Sequence, residues 1–147
     1  ARGVQWQRAC QLLVAVASRC ALPGARALNA AIGACAGAAH WEAALAVLAG
    51  GVVVGATPDT VSFNSSIHAC AMATRWAEAL HLLLGMPRLA VAPDAATFGS
   101  GMSACERGGK PGRALELLAA MSRSALSPDV VCYGAAISAC EKGQWWR

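Results

Sequence analysis

Apolar residues recur along the chain at helical spacing, in two patterns that alternate. The first pattern has the spacing i, i+4, i+7, and one copy of it is Phe63, Ile67 and Cys70. The second has the spacing i, i+3, i+4, i+7, and one copy is Trp76, Ala79, Leu80 and Leu83. Each pattern is typical of the buried face of an amphipathic helix. Turn residues such as Gly108-Gly109 separate the two, so the sequence predicts pairs of short helices.

These helix pairs repeat with a period of 35 residues. Three series of residues recur at this interval, and in the tryptophan series Pro111 takes one of the places. The series are Pro23, Pro58, Pro93 and Pro128; Cys35, Cys70, Cys105 and Cys140; and Trp6, Trp41, Trp76 and Trp146. A fixed period of 20–50 residues is typical of stacked repeats in which no unit buries its apolar face alone. The sequence therefore predicts an all-α fold, a right-handed α-solenoid of helix–turn–helix units.

The period divides the chain into three whole units, residues 25–59, 60–94 and 95–129, with partial units at 1–24 and 130–147. We treat all of it as one solenoid segment. Because the terminal units are partial, we expect a piece of a longer array whose ends expose apolar surface.

Each unit closes with proline and aspartate. Proline ends the second helix, and Asp59, Asp94 or Asp129 then stands where the next helix needs an N-cap. One small residue in each first helix should let neighbouring helices approach closely: Ala31, Ser66, Gly101 and Ala136. Two features should weaken second helices, since Gly50-Gly51 should fray one of them and Pro87 should end another early.

Composition limits the possible functions. Hydrophobic residues make up 56% of the chain, but glycines interrupt its apolar stretches, so we expect a buried core and no membrane span. The cysteines recur singly, as small buried residues do, and form no zinc-ligand pair. We find no catalytic residues, no metal site, and no sign of a cofactor or a small-molecule substrate. A net charge of +4 is compatible with nucleic acid but is weak evidence for it.

The period and several positions in each unit resemble the pentatricopeptide repeat family. The matching residues include Thr60-Val61-Ser62-Phe63-Asn64 at the start of one unit, Ala79-Leu80 in its middle, Met86 late, and Pro93-Asp94 at its end. The third unit has Thr97-Phe98, Ala114-Leu115, Met121 and Pro128-Asp129. The resemblance covers nearly the whole chain. It implies a helical solenoid that binds single-stranded RNA in mitochondria or chloroplasts, with one base for each repeat.

In that family, one residue of the first helix and the last residue of the repeat read a base. Carried over by position, these pairs are Asn29 with Asp59, Asn64 with Asp94, and Gly99 with Asp129. The residues that resemble those packed against the base face are Arg26, Val61, Ala96 and Val131. Arg107 and Lys142 lie where such proteins approach the RNA backbone, whereas Gly37 and Met72 take that place in earlier units.

The chemistry of the Asn–Asp pair suits uracil, since an amide carries both a donor and an acceptor. The resemblance implies the same preference. Gly99 and Gly134 depart from the pattern because glycine has no side chain to read a base, so we expect their units to space the RNA. The aspartates also have a purely structural explanation as N-caps, and the two roles can coexist.

The leading hypothesis is a non-catalytic RNA-binding segment of an organellar RNA-processing or expression factor. The second is a helical scaffold that binds protein partners. The third is that these repeats guide a larger RNA-processing enzyme whose catalytic residues lie elsewhere. RNA binding should weaken steeply with salt, whereas capture of a protein should resist RNase and depend little on salt.

Overall fold

The regular structure of the residues that the structure describes is helical. The computed structural model describes Arg8, Gln11 and residues 25–37, 40–53 and 55–144. The α-helices of these ranges are α1 (Ala25–Gly37), α2 (Trp41–Val53), α3 (Thr60–Met72), α4 (Trp76–Gly85), α5 (Ala95–Arg107), α6 (Pro111–Arg123) and α7 (Val130–Lys142). A short 3-10 helix, Met86–Leu89, follows α4. The prediction of an all-α helical repeat solenoid is confirmed.

The odd-numbered helices begin at the same place in each repeat, at residues 25, 60, 95 and 130. Asp59, Asp94 and Asp129 are the N-caps of α3, α5 and α7, as predicted. Each carboxylate accepts a hydrogen bond from the backbone N–H three residues later. Ser62 and Thr97 return a side-chain contact to the N–H of the capping aspartate, which completes a capping box. Each aspartate therefore stops one repeat and starts the next.

The helices form two layers. In one layer α3 lies between α1 and α5, and α5 contacts α7. In the other layer each even-numbered helix packs on the odd-numbered helices before and after it, as α4 does on α3 and α5. Equivalent residues of the odd-numbered helices consequently stand in a row, one for each repeat.

The core runs along the boundary between the layers. The predicted stripe residues Ile32, Ile67 and Met102 are each 0% exposed, and burying such a side chain contributes about 1.5–3 kcal/mol. Burial also raises the pKa of the Cys70 and Cys105 thiols to about 11, the behaviour of structural cysteines. Helices of successive repeats pack on one another, as α3 does on α1 and α5, so stability depends on stacking.

One local expectation is wrong and another is confirmed. Helix α2 continues through Gly50 and Gly51 to Val53, so the glycines do not fray it. Gly51 is buried, and a Cβ there would lie 2.6 Å from Leu28 Cδ1, so its lack of a side chain lets α2 approach α1. Pro87 does end its helix early, because α4 stops at Gly85 and continues only as the 3-10 helix.

Small residues bring neighbouring helices together, as predicted. Ala31, Ser66, Gly101 and Ala136 are all buried. A Cβ on Gly101 would lie 2.9 Å from Leu83 Cδ1, so the glycine makes room for that leucine.

The apolar stripe of α7 lacks the cover that its equivalents have. Ile137 is 67% exposed, whereas its equivalents Ile67 and Met102 are 0% exposed. Tyr133, Ile137 and Leu118 line an open apolar groove there. Within the described ranges no helix is long and apolar enough to cross a membrane. Trp6, Pro23 and Trp146, which belong to the repeated series, lie outside the described residues, as does most of the partial unit 1–24.

Candidate nucleic-acid interface

The structure brings the two predicted Asn–Asp pairs into contact. The side-chain amide of Asn29 donates to the Asp59 carboxylate at 3.1 Å. The amide of Asn64 donates to Asp94 at 3.3 Å. Both asparagines are half-buried and both aspartates are exposed. The pairs thus lie at the surface of the odd-numbered layer, one repeat apart.

A buried hydroxyl group completes each pair, and sequence reasoning missed it. Ser62 Oγ donates to Asn29 Oδ1, and Thr97 Oγ1 donates to Asn64 Oδ1 at 2.6 Å. Ser62 and Thr97 are each 0% exposed. The signal was present in the sequence, since a hydroxyl residue follows each of these aspartates by three positions, as in a capping box.

This arrangement fixes which way the amide points. A carboxylate only accepts hydrogen bonds, so the amide atom beside Asp94 must be the NH₂ group, and the carbonyl faces the hydroxyl. The Thr97 hydroxyl also lies 2.8 Å from Asp94 Oδ1, but its shorter contact is with Asn64. No described residue bonds the second N–H of the Asn64 amide or the second lone pair of its carbonyl, so both can meet a ligand.

The aspartates are held in their charged form. Partial burial would raise the pKa of Asp94, but hydrogen bonds from the Thr97 backbone, the Thr97 hydroxyl and the Asn64 amide outweigh it and lower the pKa below its ordinary value. The pKa of Asp59 is lowered in the same way, against the effect of burial, by Ser62 and Asn29. The Asn–Asp contact is therefore a hydrogen bond to a carboxylate at neutral pH.

The third unit has the aspartate without its partners. Asp129 accepts from the Cys132 backbone N–H at 2.9 Å, which lowers its pKa, but the position of the asparagine is Gly99 and that of the hydroxyl is Cys132. Gly99 is buried, and a Cβ there would meet only Cys132 Sγ, at 4.0 Å. The unit lacks both the amide and the group that would orient it.

The residues predicted to lie against a base face are all exposed. Val61 is 55% exposed and Val131 is 63% exposed, and Arg26 and Ala96 are exposed as well. A groove of about 580 Å³ passes over α3, α5 and α7 in this region. Predicted site residues that line it are Ala96, Gly99, Arg107, Asp129, Val131 and Lys142.

The two predicted backbone-binding cations differ in their surroundings. Lys142 Nζ lies 2.7 Å from Glu106 Oε1, which also accepts from the Ser138 hydroxyl. Hydrogen bonds from Lys142 and Ser138 lower the pKa of Glu106, and the nearby charge of Arg107 adds to the effect. Arg107 is exposed and makes no ion pair with any described residue. Its charge is therefore more available to a ligand than that of Lys142.

Nothing in the described ranges groups three or more His, Cys, Asp or Glu residues as a metal site would require. Of the tryptophans, Trp41 and Trp76 are half-buried and pack on the core, as predicted. Arg75 lies over the Trp41 ring at 4.4 Å and Lys110 over the Trp76 ring at 5.2 Å, which are cation–π distances. These two tryptophans are thus occupied within the fold.

Solved structures similar to this chain are repeat proteins. One is the PPR domain of Arabidopsis thaliana protein-only RNase P 1 in complex with tRNA, with 14% identity and a TM-score of 0.76, covering 96% of this chain and 78% of that one. Another is the pentatricopeptide repeat protein PPR10 in complex with an 18-nt psaJ RNA element, with 26% identity and a TM-score of 0.73, covering 93% of this chain and 20% of that one. PPR10 from maize matches with 25% identity, a TM-score of 0.73 and coverage of 92% and 19%.

The match to PPR10 shows that this chain spans about a fifth of that protein. No protein-family model matches the sequence, and no curated protein matches it. The period of 35 residues, the paired helices and the similar structures nevertheless agree. This chain has the fold of the pentatricopeptide repeat proteins and resembles that family over most of its length.

Proposed function

We propose that this chain binds single-stranded RNA along its odd-numbered helices, with one nucleotide for each repeat. Uracil is favoured opposite Asn29 with Asp59 and opposite Asn64 with Asp94. The observation that carries the proposal is the fixed orientation of two amides, one repeat apart, on the same exposed row.

The hydrogen-bond capacity that remains on each amide matches uracil. The N3–H of the base donates to the Asn64 carbonyl, and a neighbouring carbonyl of the base accepts the second amide N–H. Adenine and cytosine have an acceptor at the equivalent ring nitrogen, so in the placement that uracil takes this nitrogen faces the Asn64 carbonyl, acceptor against acceptor. Because Asp94 and Thr97 hold the amide, a flip that would suit cytosine breaks two existing hydrogen bonds.

The side chains beside the amides provide a surface for the base. Val61, exposed and one turn before Asn64 on α3, offers an apolar face for a base to lie against. Arg26 occupies the equivalent position on α1, and its planar guanidinium can stack on a base. Arg107, the last residue of α5, contributes positive charge for the RNA phosphates.

The third unit spaces the RNA in this account. Gly99 offers no polar group, so Asp129 has no amide to position, and the unit carries little base preference. The proposed base-reading residues thus belong to the first two units, whereas the proposed phosphate-binding cations Arg107 and Lys142 belong to the units that follow.

The wider role is also a proposal. We propose that the chain is a non-catalytic segment of an RNA-processing or expression factor acting in mitochondria or chloroplasts. The family resemblance supports the organelle. A binding role is supported because the amide, the carboxylate and the hydroxyl of the predicted site are held together by structural hydrogen bonds. A protein-only RNase P carries a domain of the same fold, so a catalytic domain elsewhere in the full protein is compatible with this role.

Fluorescence anisotropy with uridine and adenosine oligonucleotides tests the proposal. We expect the protein to prefer uridine by about tenfold for each reading unit, which is about 1.4 kcal/mol. Asn29→Ala with Asn64→Ala should remove the preference, whereas Ser65→Ala, one residue further along α3, should keep it. Equal affinity for the two oligonucleotides in the unaltered protein contradicts the readout.

A further inference from the structure

A second groove lies in the layer of even-numbered helices. It has a volume of about 420 Å³, within the usual range of ligand clefts, and its residues belong to α4, the 3-10 helix and α6. Trp76, Leu80 and Leu84 give it an apolar floor, and His81, Arg88 and Arg113 add basic groups. It shares no residue with the groove of the odd-numbered helices.

The apolar part of this groove exceeds what the repeat requires. Leu84 is 68% exposed. The equivalent residues one repeat earlier and one repeat later are Ala49 and Ala119. Since both neighbours stack with alanine at this place, the leucine adds apolar surface that the fold leaves uncovered.

The charge of the groove also differs from that of the preceding repeat. Arg88 is exposed and makes no ion pair with a described residue, while Arg113 lies 2.8 Å from Glu116. In the equivalent groove one repeat earlier, the positions of Arg88, Arg113 and His81 are Val53, Glu78 and Ala46. Two arginines and a histidine thus replace an acidic and two apolar residues.

The early end of α4 places this charge at the groove. Because Pro87 stops the helix at Gly85, the chain turns through Met86–Leu89, and Arg88 from that turn lines the groove beside Leu84. An apolar floor with a basic rim complements an amphipathic segment that carries carboxylates.

We infer that this groove binds an acidic amphipathic helix of a partner protein. Apolar side chains of that helix cover Leu80 and Leu84, and its carboxylates pair with Arg88, since Glu116 already pairs with Arg113. This site is independent of the RNA proposal, because it lies in the other layer and uses none of the same residues.

A pair of labelled peptides tests this inference by fluorescence anisotropy. The first is a 14-residue helical peptide with leucines at i, i+3, i+4 and i+7 and glutamates elsewhere, and in its match lysines replace the glutamates. We expect the glutamate peptide to bind about tenfold more tightly at low salt, and Leu84→Ala or Arg88→Glu to weaken it about tenfold each. Both residues are exposed, so both variants should fold, which circular dichroism checks.

Arg123→Glu is the matched control, since Arg123 is exposed and stands one repeat after Arg88. It makes the same change of charge on α6 and should leave peptide affinity unchanged. The inference is overturned if the glutamate peptide does not bind, if both peptides bind equally, or if Arg123→Glu weakens binding as much as Arg88→Glu. Displacement of the peptide by a uridine oligonucleotide also overturns it, because the groove would then be a nucleic-acid site.

Discussion

The side chain of Asn64 donates a hydrogen bond at 3.3 Å to the carboxylate of Asp94, which is the last residue of the same repeat. The same carboxylate accepts the Thr97 N–H that begins α5. Asp94 is therefore both the N-cap of one helix and the partner of a half-buried amide on the preceding odd-numbered helix. The N-cap role is therefore compatible with the proposed part of Asp94 in RNA binding, because the same carboxylate also holds the Asn64 amide.

Removal of the Thr97 hydroxyl should disturb both roles. Thr97→Val keeps the shape of the side chain but loses half of the capping box and the partner of the Asn64 carbonyl. We expect a loss of about 1–2 kcal/mol in the free energy of unfolding, measured in urea, and a fall of about fivefold in uridine preference. Cys132→Val is the control, since no asparagine depends on Cys132. An unchanged uridine preference in Thr97→Val would show that the hydroxyl does not orient the amide.

The third unit should gain a reader when its missing groups are supplied. Gly99→Asn with Cys132→Ser supplies the two groups missing around Asp129, and a Cβ at Gly99 would make only an ordinary contact, with Cys132 Sγ at 4.0 Å. We expect about tenfold preference for uracil at one further position of the oligonucleotide, measured by single-nucleotide substitution. Gly99→Ala with Cys132→Ser is the control and should add none. Equal gain from the alanine variant would mean that only helix stability had improved.

Salt dependence should separate the two cations. Arg107→Ala should lower the slope of log affinity against log salt by about one, since an available charge that contacts a phosphate releases about one counterion. Lys142→Ala should lower it less, because Glu106 already pairs with Lys142. Titration of binding at several salt concentrations measures both slopes, and a larger effect from Lys142 would contradict the assignment of Arg107.

Acid should weaken the fold through the capping aspartates. Because the pKa values of Asp59, Asp94 and Asp129 are lowered in the folded state, their contribution to stability is complete above the ordinary aspartate value of 3.8. It is lost as pH falls below that value through the lowered folded ones. Urea unfolding between pH 6 and about 3 should show this loss. Asp94→Asn, which still caps the helix, should lose less stability with acid than the unaltered protein.

Much of the fold can be predicted from the sequence because the same pattern of apolar and turn residues recurs in several units. The stripe of Phe63, Ile67 and Cys70 has copies in each unit, and Pro87 acts through local geometry alone. The behaviour of Gly50-Gly51 could not be predicted from propensity, because the contact of Gly51 with Leu28 joins two helices. A helix end that packs on its neighbour overrides a local cost of about 1 kcal/mol for each glycine.

The candidate site follows the same division. The family resemblance selected Asn29 and Asn64, and the structure places each beside its aspartate. The family resemblance did not identify Ser62 or Thr97, because a hydroxyl three residues after an N-cap looks like an ordinary part of a capping box. Nor did the sequence predict the Glu106–Lys142 pair, which joins residues of α5 and α7 in consecutive units. Whether these residues contact RNA stays a prediction.

Uridine carrying a methyl group on N3 tests the central claim most directly, because the methyl group removes the single proton that the Asn64 carbonyl is proposed to accept. Affinity of the unaltered protein and of Asn64→Ala is measured for oligonucleotides with uridine or N3-methyluridine at the position that this repeat reads. We predict a loss of about tenfold on methylation for the unaltered protein and almost none for Asn64→Ala. Equal losses in the two proteins would contradict readout of uracil by the Asn64 amide.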